Sequence, residues 1–210
     1  MPPDGASVML NNVSPRLKRP EKELLLSDIK KSDAAKLPEW QPNFESWVEF
    51  AKPLLPQGKA QEAFGKYPWF TTDTDPFARL DKPVSEARFG LITTGGYSIE
   101  GEQEPMRGFP TFGDEVPQIR KIPTDVDRSK LVINHPGYDH KYAKEDINAN
   151  LPFDRLNELV ADGTIGSLSN ETLVLMGLQP NVAPLITETI PEILATFKAD
   201  NVDAALLVPS

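Results

Sequence analysis

Four short apolar runs punctuate the second half of the chain: RFGLITT from Arg88, LVIN over Leu131 to Asn134, TLVLMG over Thr172 to Gly177 and DAALLV over Asp203 to Val208. Runs of this length bounded by turn residues are buried strands, and amphipathic helical patterns lie between the later ones. A chain that alternates in this way builds a mostly parallel sheet with helices on its faces. The expected fold class is α/β, with Rossmann-like or flavodoxin-like layering, preceded by an irregular aromatic- and Pro-rich N-terminal region. One helix starts near Pro152, buries Leu156, Leu159 and Val160, and stops at Gly163. A second runs from about Pro184 to Ala199 with Ile186, Ile190, Ile193, Leu194 and Phe197 on one face, and Pro191 inside it predicts a kink or a break. TIGSLS, from Thr164 to Ser169, reads as a further short strand or strand and turn.

The front of the chain is different. Residues 1–36 read as an arm with one helical candidate, Glu21 to Lys31, and Leu37 to Leu80 interleaves aromatic residues with prolines. Trp40, Phe44 and Trp47 stand at i, i+4 and i+7, the spacing of a helix that packs an aromatic stripe on a body. The expected division is an N-terminal extension over 1–80 and an α/β domain over 81–210, its first strand opening after Ala87. Between Glu100 and Asp127 the chain is rich in Gly and Pro and predicts a long irregular loop, with Arg107 and Arg120 as candidate grips for a carboxylate.

Several chemistries are excluded or disfavoured by composition. A formal net charge of -9 disfavours a general nucleic-acid binder, which needs clustered cations. There is no cysteine, so disulfides, thiolate metal sites and cysteine nucleophiles are absent from these residues. Without a basic segment followed by an apolar one at the N-terminus, or about 18 consecutive apolar residues, the cytoplasm is the expected compartment.

The densest polar chemistry lies between Asn134 and Gly166, where both histidines, His135 and His140, stand with Tyr138, Asp139, Asp146 and Asn148. This segment follows the LVIN run, and in open α/β sheets ligands collect at the carboxyl ends of strands. The first run likewise ends in Thr93, Thr94, Gly95 and Gly96, and successive N–H groups in a glycine turn can cradle an anion. No GxGxxG or Walker pattern is present, so nucleotide binding is not expected. The His135 to His140 spacing matches no strong metal signature, and no metal site is expected. Asp146 and Asn148, just ahead of a helix, suit capping as well as ligand binding.

In order, LITTGGYS, GDEVPQIRKIP, HPGYDHKYAKEDINANLPFDRLNELVADGTIG, MG and DNVDAALLVPS resemble the selenoprotein B family of glycine, sarcosine, betaine and D-proline reductases, over roughly Phe77 to Ser210. The resemblance implies the substrate-handling subunit of a cytoplasmic reductase complex that cleaves the C–N bond of a small amine or amino acid. It implies partners in the form of other complex subunits or a thiol reductant, and a possible homo-oligomer. No cofactor is implied beyond a selenocysteine, in a short motif with a cysteine directly after a segment like VDAALLVP. Ser210 stands just short of that position, so the resemblance predicts a sequence cut at a UGA selenocysteine codon and inactive by itself.

Under this resemblance His135 passes a proton to the departing amine. Thr94, Gly95, Gly96, Arg120, Tyr138, Asp139, Asp146 and Asn148 bind substrate, with Asp139 or Asp146 pairing with its ammonium or orienting His135. The rival reading is a non-catalytic binding or assembly subunit that has lost its redox motif.

Overall fold

The structure, a computed structural model, describes residues 26–72, 78–107 and 116–210, with side chains from residue 33 onward. The arm up to Leu25, Phe77, and the loop breakers Gly108, Pro110 and Gly113 lie outside the described residues.

The α/β core begins with β1 (Arg88–Thr93). Its partners along one edge are β5 (Ser167–Leu168), which meets Arg88 and Phe89, and β6 (Glu171–Val174), which meets Ile92 and Thr93; β7 (Ala204–Val208) pairs with Phe89 through Thr93. All three pairings are parallel. β3 (Arg120–Pro123) adds antiparallel to β6. The fold is thus the mixed α/β sheet, mostly parallel, that the apolar runs predict, but β7 is not the buried strand expected of DAALLV: no residue of it is fully buried, and Leu206 and Leu207 are exposed. The strand β3 corrects the expectation of an irregular loop there. Ile122 is its single buried residue and Pro123 ends it, so the segment carries almost no apolar pattern and owes its form to pairing at a sheet edge.

A second correction concerns LVIN. Residues Leu131–Ile133 form β4, which pairs antiparallel with β2 (Tyr97–Ile99) in a separate ribbon and not in the parallel sheet. The cause lies at Gly96, whose φ of 66° turns the chain out of the sheet after β1.

Between β4 and β5 come α3 (Lys141–Glu145) and α4 (Phe153–Ala161), and Gly163 at φ 79° ends the latter. Phe153, Leu156, Leu151, Tyr97, Ile99 and Ile122 meet in the main core. Each fully buried large side chain there contributes about 1.5–3 kcal/mol relative to exposure. The predicted second helix is realised in three pieces: α5 (Val182–Pro184), a π-turn over Leu185–Thr189, and α6 (Ile190–Ala199). Pro191 has no N–H and its ring crowds the preceding turn. In the π-turn just before it, Ile190 N–H donates to the Leu185 carbonyl five residues back. The extra residue advances the face by about 100°. Thr189 is consequently buried while Ile190, expected on the buried stripe, is exposed. α6 lies on β1, where Gly90 leaves room for Phe197. At the amino end of the strands Arg88 binds Asp200 through Nη2 at 2.8 Å and the Asp200 carbonyl through Nε at 2.8 Å.

The aromatic region forms a second, smaller core. α1 (Leu26–Ala51) is one helix passing through Pro38 and Pro42, longer than the two separate pieces expected. Trp40, Phe44 and Trp47 are its buried stripe, joined by Ala63 of α2 (Ala60–Phe64). Trp47 Nε1 donates to the Ala63 carbonyl at 2.8 Å. Tyr67 Oη donates to the Pro180 carbonyl at 2.7 Å, tying this core to the segment between β6 and α5.

Candidate functional site

A row of paired residues crosses the carboxyl end of the sheet: Arg120, Val174, Thr93 and Val208. Immediately beyond it three chain segments converge. Gly177 N–H donates to the Thr94 carbonyl at 3.1 Å, Gly96 N–H to the Leu175 carbonyl at 3.1 Å, and Asn134 N–H to the Gly96 carbonyl at 2.9 Å. The last of these bonds delivers His135 to the site. Ser210 arrives from β7, its N–H donating to Thr94 Oγ1 at 2.9 Å.

His135 is 4% exposed and wedged between two glycines. A Cβ on Gly96 would lie 3.0 Å from the His135 Cβ, and one on Gly177 would lie 2.7 Å from its Nε2. The same position over Gly177 is 3.4 Å from the Ser210 carbonyl oxygen. Glycine at 177 therefore lets the imidazole edge pack directly on the backbone, and the narrow space over its Cα, between Nε2 and the Ser210 carbonyl oxygen beyond β7, is the slot of this site. Leu178, which follows, takes φ 55°, a left-handed conformation that costs a residue with a side chain about 1–2 kcal/mol and holds the turn at this slot.

The electrostatics of the imidazole follow from burial. Its pKa is lowered below the usual histidine value, first by desolvation and then by the neighbouring His140. Gly137 N–H donates to Nδ1 at 3.0 Å, so the neutral ring carries its proton on Nε2, facing the slot. His140 Nε2 donates to the His135 carbonyl. It is thus tied to the site.

Tyr138 packs on His135 with ring centroids 4.9 Å apart. Its hydroxyl donates to the Gly95 carbonyl at 3.2 Å and accepts from Asn150 Nδ2 at 2.8 Å. Burial raises the Tyr138 pKa, and that of Tyr97 is raised further, by burial foremost and by the Tyr138 hydroxyl beside it. Both phenols stay protonated at neutral pH.

Other expected ligands are engaged elsewhere. Gly95 N–H donates to Thr93 Oγ1 at 3.1 Å and Gly96 N–H to Leu175, so neither N–H is left to cradle an anion. Asp139 accepts from Lys141 N–H and makes a local turn. Asp146 accepts from the backbone and side chain of Asn148, which lowers its pKa. Asn148 in turn accepts from Asp154 N–H at 3.0 Å and so caps α4. Neither Asp139 nor Asp146 orients His135, since its Nδ1 meets Gly137. Arg120 stands across β6 from Thr93, with Nη2 donating to the Glu104 carbonyl at 3.3 Å; Arg107 is exposed.

Gly177, Asn150 and Tyr97 were not singled out as site residues from the sequence. Their roles arise from contacts with residues 12 to 42 positions away, such as Asn150 with Tyr138 and Gly177 with His135, and only the MG pair following an apolar run offered a signal. Among the described residues no group of three or more His, Cys, Asp or Glu is placed to hold a metal ion, and no helix is long and apolar enough to cross a membrane.

Comparison with known proteins bears on this arrangement. The profile of the family described as glycine/sarcosine/betaine reductase selenoprotein B matches residues 60–210. D-proline reductase subunit gamma of Acetoanaerobium sticklandii is 29% identical over 128 residues, covering 61% of this chain and 50% of that protein. Glycine reductase complex component B subunit gamma of Carboxydothermus hydrogenoformans is 30% identical over 157 residues, 73% of this chain and 35% of that protein. The protein of the same name from Peptoclostridium acidaminophilum is 26% identical over 154 residues, again 73% and 35%. The matched part thus spans half or less of the length of these relatives. No solved structure matches the chain.

Proposed function

The chain belongs to the glycine/sarcosine/betaine reductase selenoprotein B family, and from that premise we propose that it supplies the substrate side of a selenol- or thiol-dependent reductase acting on a small amine or amino acid. The observation that carries this reading is the slot over Gly177, bounded by His135 Nε2 on one side and by the Ser210 carbonyl on the other. A selenol or thiol presented at the carboxyl end of β7, by the same polypeptide or by another subunit, would come beside Nε2 there.

Such a group supplies a reductive cleavage, in which two electrons and hydrogen from a dithiol replace the C–N bond by C–H and nitrogen leaves as the amine. The residues of this chain prepare the place for it. His135, kept neutral by burial, offers an Nε2–H hydrogen bond into the slot, the kind of donor that stabilises an anionic selenolate or thiolate. That role stands beside the proton donation to the amine expected from sequence, for which the lowered pKa leaves less imidazolium. A substrate ammonium leaves as a neutral amine without needing an acid. Thr94 Oγ1, which accepts from Ser210 N–H, fixes the end of β7 and retains its own proton for a substrate carboxylate. Arg120 lies at the same end of the sheet as the available cation for that carboxylate.

The test is to purify the native complex through a tag on this chain and supply dithiol with glycine, sarcosine, betaine or D-proline. Release of the amine, or ring opening of D-proline, that disappears in His135→Gln supports the reading. No turnover of any of the four by an intact complex overturns it in favour of the binding or assembly role.

A further inference from the structure

We propose that the cavity between the β2–β4 ribbon and α3 binds a small organic carboxylate with an apolar body. The cavity has a volume of about 530 Å³, within the range of small-molecule sites. Leu131, Ile133, Ile147 and the ring of Tyr97 give it apolar walls. Among the described residues the charged ones lining it are Arg128 and Lys144, with no carboxylate, although the chain carries 31 acidic residues against 22 basic ones. A cationic pocket on an acidic protein selects anions by local charge against the overall field.

The two cations differ in how they are held. Arg128 lies over the Phe153 ring, 4.2 Å from its centroid, and its Nη1 donates to the Val126 carbonyl at 2.7 Å. Its Nη2 stands 3.9 Å from Asp154 Oδ1, beyond hydrogen-bonding distance, so the guanidinium is oriented without being saturated. Lys144 makes no ion pair with a described residue. A guanidinium and an ammonium lining one cavity are the cations that a carboxylate takes, and the aliphatic wall takes an apolar chain of a few carbons. Tyr97 is the shared wall between this cavity and the His135 site, its hydroxyl lying beside that of Tyr138. The cavity takes no part in the reductase reading, and its test is a binding measurement that does not depend on turnover.

Isothermal titration of the full chain with valerate, valeramide and inorganic phosphate separates the alternatives. Saturable binding of valerate at one site per chain is expected in the millimolar range or tighter. At least ten-fold weaker binding is expected for valeramide, which lacks the charge, and for phosphate, which lacks the apolar body. Lys144→Gln, at an exposed position, should weaken valerate at least ten-fold without changing the unfolding midpoint, and Arg128→Lys should weaken it by removing the planar fork while keeping the charge. The proposal is overturned if valerate gives no saturable heat at millimolar concentration, if valeramide or phosphate binds equally well, or if Lys144→Gln leaves valerate binding unchanged.

Discussion

A side chain on Gly177 would place its first carbon 2.7 Å from Nε2 of His135, a separation that real Cβ contacts do not show. The imidazole and the Gly177 backbone therefore hold each other in register, although 42 positions separate them in sequence. Gly177→Ala forces His135 away from the slot. Overpacking of this kind costs about 1–3 kcal/mol of stability, and a displacement near 1 Å at a working group lowers turnover by roughly 100-fold. Urea unfolding and turnover of the assembled reductase check both figures. A variant with unchanged turnover would remove His135 from the chemistry.

His135 also carries a pH signature. Its folded pKa lies below the ordinary value near 6.5, because burial and then His140 penalise the imidazolium. Sign follows from proton counting: below about pH 6.5 the unfolded chain binds the proton that the folded chain refuses, so the unfolded state gains and stability falls as pH falls. Above pH 6.5 both states are neutral and the contribution is flat. The difference in urea midpoint between pH 7.5 and pH 5 should accordingly be larger for the wild type than for His135→Asn. Equal differences would mean that the folded ring accepts its proton freely.

Tyr138 is predicted to act through its neighbours. Tyr138→Phe leaves the Gly95 carbonyl without that hydroxyl donor and Asn150 Nδ2 without that acceptor, at a cost of about 1–3 kcal/mol for buried groups. Asn150→Ala removes part of the same interaction. A double-mutant cycle should return a coupling of about 0.5–3 kcal/mol between the two positions. Strict additivity would show that the bond contributes nothing.

What was legible in the sequence was whatever a local pattern encodes. β1, β6 and β7 are apolar runs between turn residues, α4 has its period and its terminal Gly163, and Trp40, Phe44 and Trp47 mark a buried face at i, i+4 and i+7. What escaped depends on tertiary partners. β3 has one buried residue and exists through β6; β4 leaves the parallel sheet because Gly96 redirects β2; the π-turn before Pro191 shifts the phase of a stripe whose composition is unchanged. At the candidate site, the convergence of the Thr94–Gly96 turn with the His135 segment was readable from two strand ends. Gly177 and Asn150 were not, since a glycine that makes room and an amide that bonds a tyrosine have no local signature. The Gly95 and Gly96 N–H groups show the converse: a glycine turn suggests an anion cradle until the backbone acceptors that occupy it are known.

Asn148 separates the capping and binding readings most cleanly. Its Oδ1 accepts from Asp154 N–H at 3.0 Å, and its Nδ2 donates to Asp146 Oδ1 at 2.8 Å and to Asp154 Oδ2 at 3.0 Å. Every polar atom of the side chain is thereby spent at the start of α4, where the N–H groups of the first turn have no partner within the helix. Asn148→Ala should cost about 1 kcal/mol of stability, as the loss of a capping side chain does, and should leave both KM and kcat of the assembled reductase at wild-type values. A substrate ligand would behave in the opposite way, with KM raised and the unfolding midpoint held. Asp146→Asn serves as the control, because an amide oxygen can still accept from Asn148 N–H at 2.9 Å while the charge is lost. If Asp146 works through geometry, that variant stays close to wild type in stability and turnover, whereas a drop in turnover alone would return the carboxylate to the substrate.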